Sequence, residues 1–175
     1  MLFDLVIKSD DMYKPLTPKI LSDPEHPVTK HILYLYSMES FIYTDMNKAS
    51  RDKELDQIKF YGGFASVLSY IIYNANNNRR NTIKLKNTTE LFRGLCMSEF
   101  EADAFVPDSK INLLGYTSTS RKFTRALKFA TMDVEEGKIP VIFEIYFNGS
   151  TGLFELTEEY TAYPKEDEVL IQDGL

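Results

Sequence analysis

The sequence has few of the residues that build metal centres, disulfides and histidine-dependent catalytic sites. Cys96 is the only cysteine, which excludes an internal disulfide, a disulfide-stapled secreted scaffold and a zinc site made of cysteines. His26 and His31 are the only histidines, so a three-histidine metal centre is excluded and a Ser-His-Asp triad would need one of them. We therefore expect no metal, and we expect any catalysis to use other residues.

The sequence also lacks an excess of positive charge and a long apolar run. Its 20 Lys and Arg residues are outnumbered by 26 Asp and Glu residues, which gives a net charge of −6 and argues against a whole-surface nucleic-acid-binding role. No stretch approaches the roughly 18 apolar residues of a membrane-spanning helix. The N-terminal MLFDLVIKSDD does not resemble a signal peptide. We expect no nucleic-acid partner, no membrane segment and a cytoplasmic or other intracellular location.

The length and composition are typical of one globular domain. The chain has 175 residues, 43% of them hydrophobic and 13% aromatic, which is enough for a substantial core. Residues 1–88 are predicted to be mainly helical and residues 89–175 to be rich in strands. Helices followed by strands indicate an α+β protein with a mixed or antiparallel sheet.

Hydrophobic periodicity predicts the individual elements. Apolar residues at helical spacing run from Val28 to Met46, with a break near Ser37, and again from Phe60 to Ile72. Further expected features are loop with short helical pieces over 1–27, a charged connector over 51–56, a polar loop over 74–81, and a helix that Thr124 caps and that runs through Ala130. The predicted strands are Glu90–Arg93, Ile111–Ser120, Pro140–Phe147, Leu153–Leu156 and Glu168–Ile171.

The first segment that could carry chemistry is Leu91-Phe92-Arg93-Gly94-Leu95. Arg93 ends a predicted strand and glycine follows it, so a fixed cation lies beside backbone that a ligand can approach closely. A guanidinium suits phosphate because it donates two parallel hydrogen bonds. Taken alone, the segment is more simply explained as a surface arginine beside a turn glycine.

The second segment is Gly115–Ser120, in which four consecutive hydroxyl residues follow an apolar run. Alternation along a strand puts Ser118 and Ser120 on one face and Thr119 on the other. Inward hydroxyls could orient a sugar or a carboxylate. The same pattern also suits a strand whose end caps the next helix, so it does not establish a site by itself.

The third segment is Tyr163–Ile171, where Glu166 and Glu168 lie two apart at the entrance of the last predicted strand. That spacing lets both carboxylates point to one side. Two like charges so close disfavour each other and are rarely left so without a reason. An isolated acidic cluster at the start of a strand is nevertheless usually only solvated.

The three segments together resemble the arginine–serine–glutamate class of mono-ADP-ribosyltransferases. LFRGL matches the arginine motif, GYTSTS followed by RALKFA matches the second, and YPKEDEVLI matches the third. The resemblance covers about residues 30–175, and YGGFASVLSYIIYNANNNRR is similar to the helical region of protist members of the family. It implies an N-terminal helical region followed by a mixed or antiparallel β core of the ADP-ribosyltransferase type.

The resemblance also implies that NAD is a co-substrate and that no prosthetic group is used. Arg93 would hold the diphosphate or the ribose side of NAD, Gly94 would offer backbone hydrogen bonds to the nicotinamide amide, and Ser118 would position the catalytic glutamate and the nicotinamide ribose. Phe129 is a candidate aromatic neighbour of the nicotinamide. The implied NAD-binding residues are Arg93, Gly94, Ser118, Thr119, Ser120 and Phe129.

On the acceptor side, the resemblance implies transfer of ADP-ribose to an arginine of a target protein. Glu168 would be the catalytic glutamate. Glu166 would engage the acceptor, and a glutamate there goes with arginine as the target in this family. Tyr163 lies where an aromatic contacts the protein substrate. The implied catalytic residues are Arg93, Ser118, Glu166 and Glu168.

These residue types suit the reaction without a metal or a histidine. Cleavage of the nicotinamide–ribose bond makes an oxocarbenium-like sugar, which a fixed carboxylate stabilises. Nicotinamide leaves as a neutral ring and needs no acid. The acceptor guanidinium is a poor nucleophile, and a second carboxylate can pair with it and take up its proton.

Other functions remain open from the sequence. The same residues could serve an NAD glycohydrolase with water as acceptor, or an inactive NAD-binding or protein-interaction module. A carbohydrate hydrolase is a poorer fit, because two adjacent side chains on one strand cannot straddle a glycosidic bond. The chain ends seven residues after Glu168, whereas family domains usually continue through a further strand, so we expect a catalytic core that lacks a final strand.

Overall fold

The computed structural model describes residues 17–38, 40–77, 89–132, 134–148 and 152–173. The helices of these ranges are α1 (Pro18–Leu21), α2 (Pro27–Ser37), α3 (Phe41–Asp52), α4 (Leu55–Asn77), α5 (Glu99–Asp103) and α6 (Phe123–Thr131). The strands are β1 (Thr89–Ser98), β2 (Thr117–Ser120), β3 (Lys138–Phe147), β4 (Leu153–Glu155) and β5 (Glu168–Ile171), and a 3₁₀ turn spans Pro164–Glu166. No helix within these ranges is both long enough and apolar enough to cross a bilayer.

The helices predicted from the apolar stripes of the first half are confirmed, although Phe60, the first residue of the second stripe, is 71% exposed. The predicted stripe from residue 28 to 46 is divided between α2 and α3, and its predicted break lies at Ser37, where α2 ends. The next helix, α4, begins at Leu55 and buries Leu68, Ile71 and Ile72. The predicted polar loop over 74–81 is wrong in its first residues, because α4 continues to Asn77. The remainder of that loop and residues 1–16 lie outside the described residues.

All the strand pairings that the structure describes are antiparallel, in the order β3-β1-β2-β5-β4. Along β2 and β5, Ser118 lies opposite Leu170 and Ser120 lies opposite Glu168. Paired residues share a face of the sheet, so these four residues share one face and Thr119, opposite Val169, lies on the other. The predicted alternation of the Ser-Thr-Ser segment is therefore confirmed.

Two predicted strand boundaries are wrong. The first strand does not end at Gly94: β1 continues to Ser98 because it pairs with β3 along its whole length. The second strand does not begin at Ile111, since β2 starts at Thr117, after Gly115 adopts a left-handed backbone with φ of 78°. A residue in that conformation interrupts an extended run.

Thr124 does not cap α6, contrary to the prediction. Lys122 is the N-cap residue, and Thr124 lies within the first turn of the helix. The backbone N–H of Lys122 donates to Ser120 Oγ over 3.1 Å. This bond closes a turn ahead of the helix, and α6 begins without a side-chain cap.

The core has two parts, one on each face of the sheet. On one face, Phe154 and Leu170 pack with buried residues of α2, α3 and α4, among them Leu33 and Leu68. On the other face, a smaller cluster joins Leu91, Leu153, Val169 and Ile171. Ser118 and Glu168 lie on the helix-covered face, where α6 packs over β1 and the N-terminal helices pack over β4.

Candidate active site

A cleft with a volume of about 140 Å³ opens beside β1, β2 and β5. The structure brings all nine of the site residues expected from the sequence to its walls. They are Arg93, Gly94, Ser118, Thr119, Ser120, Phe129, Tyr163, Glu166 and Glu168. The remaining lining residues are Ser37, Tyr43, Phe92 and Ala126. Residues up to 131 positions apart in the chain, from Ser37 to Glu168, therefore meet at one place.

Ser118 and Glu168 form a short hydrogen bond at the floor of the cleft. Ser118 Oγ donates to Glu168 Oε1 over 2.6 Å, and Glu168 is 7% exposed. The bond crosses diagonally between β2 and β5, because Glu168 lies directly opposite Ser120. A hydroxyl that donates to a carboxylate makes a charge-assisted bond, which holds the carboxylate in a defined orientation.

Arg93 lies on β1 and reaches across to β2. Its Nη1 donates to the backbone oxygen of Ser118 over 2.7 Å, and the side chain is partly buried. A guanidinium has five N–H donors, so this bond leaves others that can face a ligand. The arginine thus both supports the strand that carries Ser118 and places a permanent positive charge in the cleft.

Gly94 is needed where α6 crosses β1. A Cβ atom at this position would lie 1.7 Å from the backbone oxygen of Ala126 and 2.9 Å from the backbone nitrogen of Ala130. The absence of a side chain therefore lets α6 approach closely and brings Phe129 to the cleft. This packing role is an additional reason for glycine beside the ligand contact that the sequence suggested.

The other two hydroxyls of the Ser-Thr-Ser segment bond to the polypeptide backbone. Thr119 Oγ1 donates to the oxygen of Val169, and Ser120 Oγ donates to the oxygen of Glu166, each over 2.6 Å. Thr119 is 4% and Ser120 is 6% exposed. Both residues therefore hold β5 and the segment before it in place, in addition to lining the cleft.

Glu166 and Glu168 line the same cleft, but they do not alternate along one strand as the sequence predicted. Glu166 ends the 3₁₀ turn, and Asp167 adopts a left-handed backbone with φ of 48°. Only at Glu168 does β5 begin. The chain changes direction at the left-handed Asp167, and both glutamates line the cleft.

Tyr163 forms the outer wall of the cleft and is 42% exposed. A second cavity, of about 290 Å³, lies beyond it and is lined by Arg125, Ala162, Pro164 and Lys165 in addition to Tyr163 and Glu166. The two cavities share Tyr163 and Glu166. A ligand that reaches Glu166 can therefore continue onto the protein surface past an exposed aromatic ring.

A buried polar network joins the helices to the start of β2. Asn47 Nδ2 donates to Tyr36 Oη over 2.9 Å, and Asn47 Oδ1 accepts from the backbone N–H of Tyr116 over 2.8 Å. Tyr116 Oη donates to the oxygen of Ala65 over 2.6 Å. Burial raises the pKa of Tyr36 well above its ordinary value and raises that of Tyr116 to about 12. Both phenols are therefore neutral at physiological pH.

None of the four additional lining residues was predicted as a site residue. Ser37 and Tyr43 belong to helical segments outside the three motifs, whereas Phe92 and Ala126 lie within LFRGL and RALKFA but carry no polar group that would single them out. They reach the cleft through the packing of α2, α3 and α6 against the sheet. The sequence signals near them were the break predicted at Ser37 and the two motifs that contain Phe92 and Ala126.

No family model matches the chain, and no curated protein matches its sequence. Its structure, however, matches solved structures. In the part of the chain that the structure describes, N-terminal helices followed by a five-stranded antiparallel sheet form a fold of the ADP-ribosyltransferase type, as the resemblance implied. The resemblance seen in the three short motifs thus extends to the fold.

The similar structures are bacterial enzymes of low sequence identity. Plx2a, an ADP-ribosyltransferase toxin from Paenibacillus larvae, is 16% identical, with a TM-score of 0.56 over 83% of this chain and 72% of that one. The Vis toxin of Vibrio splendidus, solved with agmatine, is 16% identical, with a TM-score of 0.56 over 99% of this chain and 71% of the toxin chain. Exoenzyme S of Pseudomonas aeruginosa, bound to carba-NAD, is 18% identical, with a TM-score of 0.55 over 99% of this chain and 76% of the exoenzyme chain.

Proposed function

We propose that this protein is a mono-ADP-ribosyltransferase that cleaves NAD, releases nicotinamide and transfers ADP-ribose to arginine side chains of a target protein. The observation that carries the proposal is the 2.6 Å bond from Ser118 Oγ to Glu168 Oε1, in a cleft that Arg93 and Glu166 also line. The shared fold supports it, as does the carba-NAD bound to exoenzyme S.

Glu168 would stabilise the sugar as the nicotinamide–ribose bond breaks. Positive charge develops on the ribose ring in that transition state, and a carboxylate that is already oriented needs no reorganisation to stabilise it. The bond from Ser118 supplies the orientation, and the low exposure of Glu168 reduces screening by water. The bond that breaks joins C1′ of the ribose to the ring nitrogen of nicotinamide. Its electron pair stays on that nitrogen and leaves with neutral nicotinamide.

Arg93 and the aromatic walls would bind NAD. The guanidinium offers donors to the diphosphate or ribose, and Phe129 offers a ring face to the nicotinamide. A volume of about 140 Å³ is below the roughly 300–1,000 Å³ of pockets that enclose a whole small ligand. We therefore expect the nicotinamide ribose to lie inside the cleft and the adenosine end to lie outside it.

Glu166 would engage the acceptor guanidinium at the outer side of the cleft. A carboxylate pairs with a guanidinium through two parallel hydrogen bonds, and it can take the proton that the nitrogen loses when it bonds to C1′. Exposed Tyr163 beside Glu166 would contact the target protein. The agmatine bound to the Vis toxin, itself a guanidine, supports a guanidinium acceptor here.

The test measures NAD consumption by the Glu168→Gln variant. Glutamine keeps the size of the side chain and can still accept from Ser118, but it lacks the negative charge. We expect NAD cleavage to fall by at least about 100-fold, since a preorganised electrostatic contact to a transition state has that magnitude. The matched control is Glu158→Gln, an exposed glutamate that does not line the cleft, which we expect to leave turnover unchanged. Wild-type turnover in Glu168→Gln would contradict the assignment.

A second variant separates transfer from hydrolysis. Glu166→Gln should retain NAD hydrolysis within about twofold but should lose at least about 100-fold in transfer to agmatine. Glutamine cannot take up the proton that the guanidinium of agmatine loses when it bonds to C1′. Labelled ADP-ribose that appears only free in solution with the wild type would indicate an NAD glycohydrolase. NAD that binds but is never consumed would indicate an inactive binding module.

A further inference from the structure

The segment between β4 and β5, residues 156–167, carries Tyr163 and Glu166, and we name it the acceptor loop. Its buried Tyr160 belongs to the core cluster that joins the helices to the sheet. Tyr160 and Thr161 are 4% and 3% exposed, and the ring of Tyr160 packs edge-on against Phe154 at 5.4 Å between centroids. An exposed stretch over residues 157–159 precedes this buried pair, and a second exposed stretch begins at Tyr163.

Ser37, the last residue of α2, makes a direct hydrogen bond to this loop. The backbone N–H of Ala162 donates to Ser37 Oγ over 2.9 Å, and Ser37 Oγ itself donates to the oxygen of Tyr34 over 2.8 Å. The hydroxyl is therefore used both as acceptor and as donor. Ser37 is 6% exposed, so water has little access to replace it.

Short hydrogen-bonded links connect that contact to Glu166. The N–H of Tyr163 donates to Thr161 Oγ1 over 3.0 Å, and the N–H of Glu166 donates to the oxygen of Tyr163 over 3.0 Å. At the far end, Ser120 Oγ donates to the oxygen of Glu166. The exposed turn that presents Tyr163 and Glu166 is thus held between two serine hydroxyls, one from α2 and one from β2.

We propose that Ser37 is a positioning residue of the acceptor step, which holds the acceptor loop so that Glu166 faces the same cleft as Glu168. The proposal rests on the proposed function. Loss of the Ser37 hydroxyl releases only the α2 side of the loop, whereas the Ser118–Glu168 bond lies on β2 and β5 and is left in place. Ser37 therefore controls how ADP-ribose is divided between the guanidinium acceptor and water.

The experiment compares Ser37→Ala with the wild type in three measurements: NAD consumption without acceptor, formation of ADP-ribosyl-agmatine, and amide hydrogen exchange of Ala162. We expect NAD hydrolysis to stay within about twofold and the ratio of transfer to hydrolysis to fall about five- to tenfold, the loss expected for one neutral hydrogen bond. The fall should appear in KM for agmatine, with KM for NAD unchanged. The Ala162 amide should exchange about tenfold faster.

Two further variants make the comparison specific. Ser37→Thr keeps the hydroxyl and should restore the ratio to at least half of its wild-type value. Ser40→Ala is the matched control: it is the same substitution three residues further along, and the buried Ser40 Oγ has no hydrogen-bond partner among the described residues. This control should match the wild type in all three measurements.

An unchanged ratio in Ser37→Ala, or an equal loss of hydrolysis and transfer, would overturn the proposal. If Ser37→Ala does not fold, two other results would overturn the proposal. They are rapid exchange of the Ala162 amide in the wild type, and a ratio of transfer to hydrolysis in Ser37→Thr below half of the wild-type value. A wild-type protein that never consumes NAD contradicts the proposed function, and this role with it. Normal NAD turnover with an unaltered ratio in Ser37→Ala contradicts the Ser37 assignment alone.

Discussion

Gly94 provides the most direct test of how the cleft is built, because the structure predicts what one added methyl group would meet. In Gly94→Ala, the new Cβ would lie 1.7 Å from the backbone oxygen of Ala126 and 2.6 Å from its carbonyl carbon. Ordinary van der Waals contact begins at 3.4 Å, so α6 would have to retreat by about 1.7 Å. Backbone atoms of a helix cannot turn aside as a flexible side chain can.

The expected cost is large for a single methyl group. Overpacking a well-packed core costs about 1–3 kcal/mol and occasionally more, and the contact with backbone places Gly94→Ala at the upper end, near 3 kcal/mol. For a domain of this size each kcal/mol corresponds to about 2–4 °C, so we expect the melting temperature to fall by about 6–12 °C. Phe129 moves with α6, and NAD affinity should fall as well.

Thermal and urea unfolding followed by circular dichroism measure this cost, and titration with NAD measures the affinity. Gly62→Ala is the matched control, since Gly62 lies within α4 and a Cβ there would meet nothing within 4 Å. That substitution should stabilise the protein by about 0.5–1 kcal/mol, because alanine favours helix more than glycine does. If Gly94→Ala melts like the wild type, the close approach of α6 to β1 is wrong. Wild-type stability with lost NAD binding would assign Gly94 to ligand contact alone.

Two further predictions concern the buried polar network. Asn47→Ala leaves the Tyr36 hydroxyl and the Tyr116 N–H without this partner, so we expect the free energy of unfolding in urea to fall by about 2–4 kcal/mol. The control is Asn74→Ala, whose bond to the Tyr70 oxygen is exposed and whose loss should cost below about 0.5 kcal/mol. Equal costs for the two variants would contradict the network. Because burial raises the pKa of Tyr116 from 10.0 to about 12, the neutral phenol stabilises the folded state fully below pH 10, and this stability is lost as pH rises to about 12. The free energy of unfolding should fall by up to about 3 kcal/mol over that range, and a slope unchanged in Tyr116→Phe would refute the assignment.

The candidate site could be predicted from short segments because its residues lie in three local motifs. A glycine after an arginine, hydroxyls that alternate along a strand and two glutamates at spacing two are all patterns of neighbouring residues. Their roles in catalysis stay predictions. The boundaries of β1 and β2 could not be predicted in the same way, because pairing with β3 extends β1 past Gly94 and the left-handed Gly115 shortens β2.

The sequence by itself excluded an internal disulfide and determined the order of helices before strands and the residue types available for chemistry, since composition and periodicity are properties of the chain. Only the tertiary structure decided that Ser37 contacts the loop of Glu166 and that Gly94 lies beneath α6. These contacts join residues that are distant in sequence, and their geometry depends on how whole helices pack on the sheet. No local pattern encodes that packing, and it is the packing that brings Arg93, Ser118 and Glu168 to one cleft.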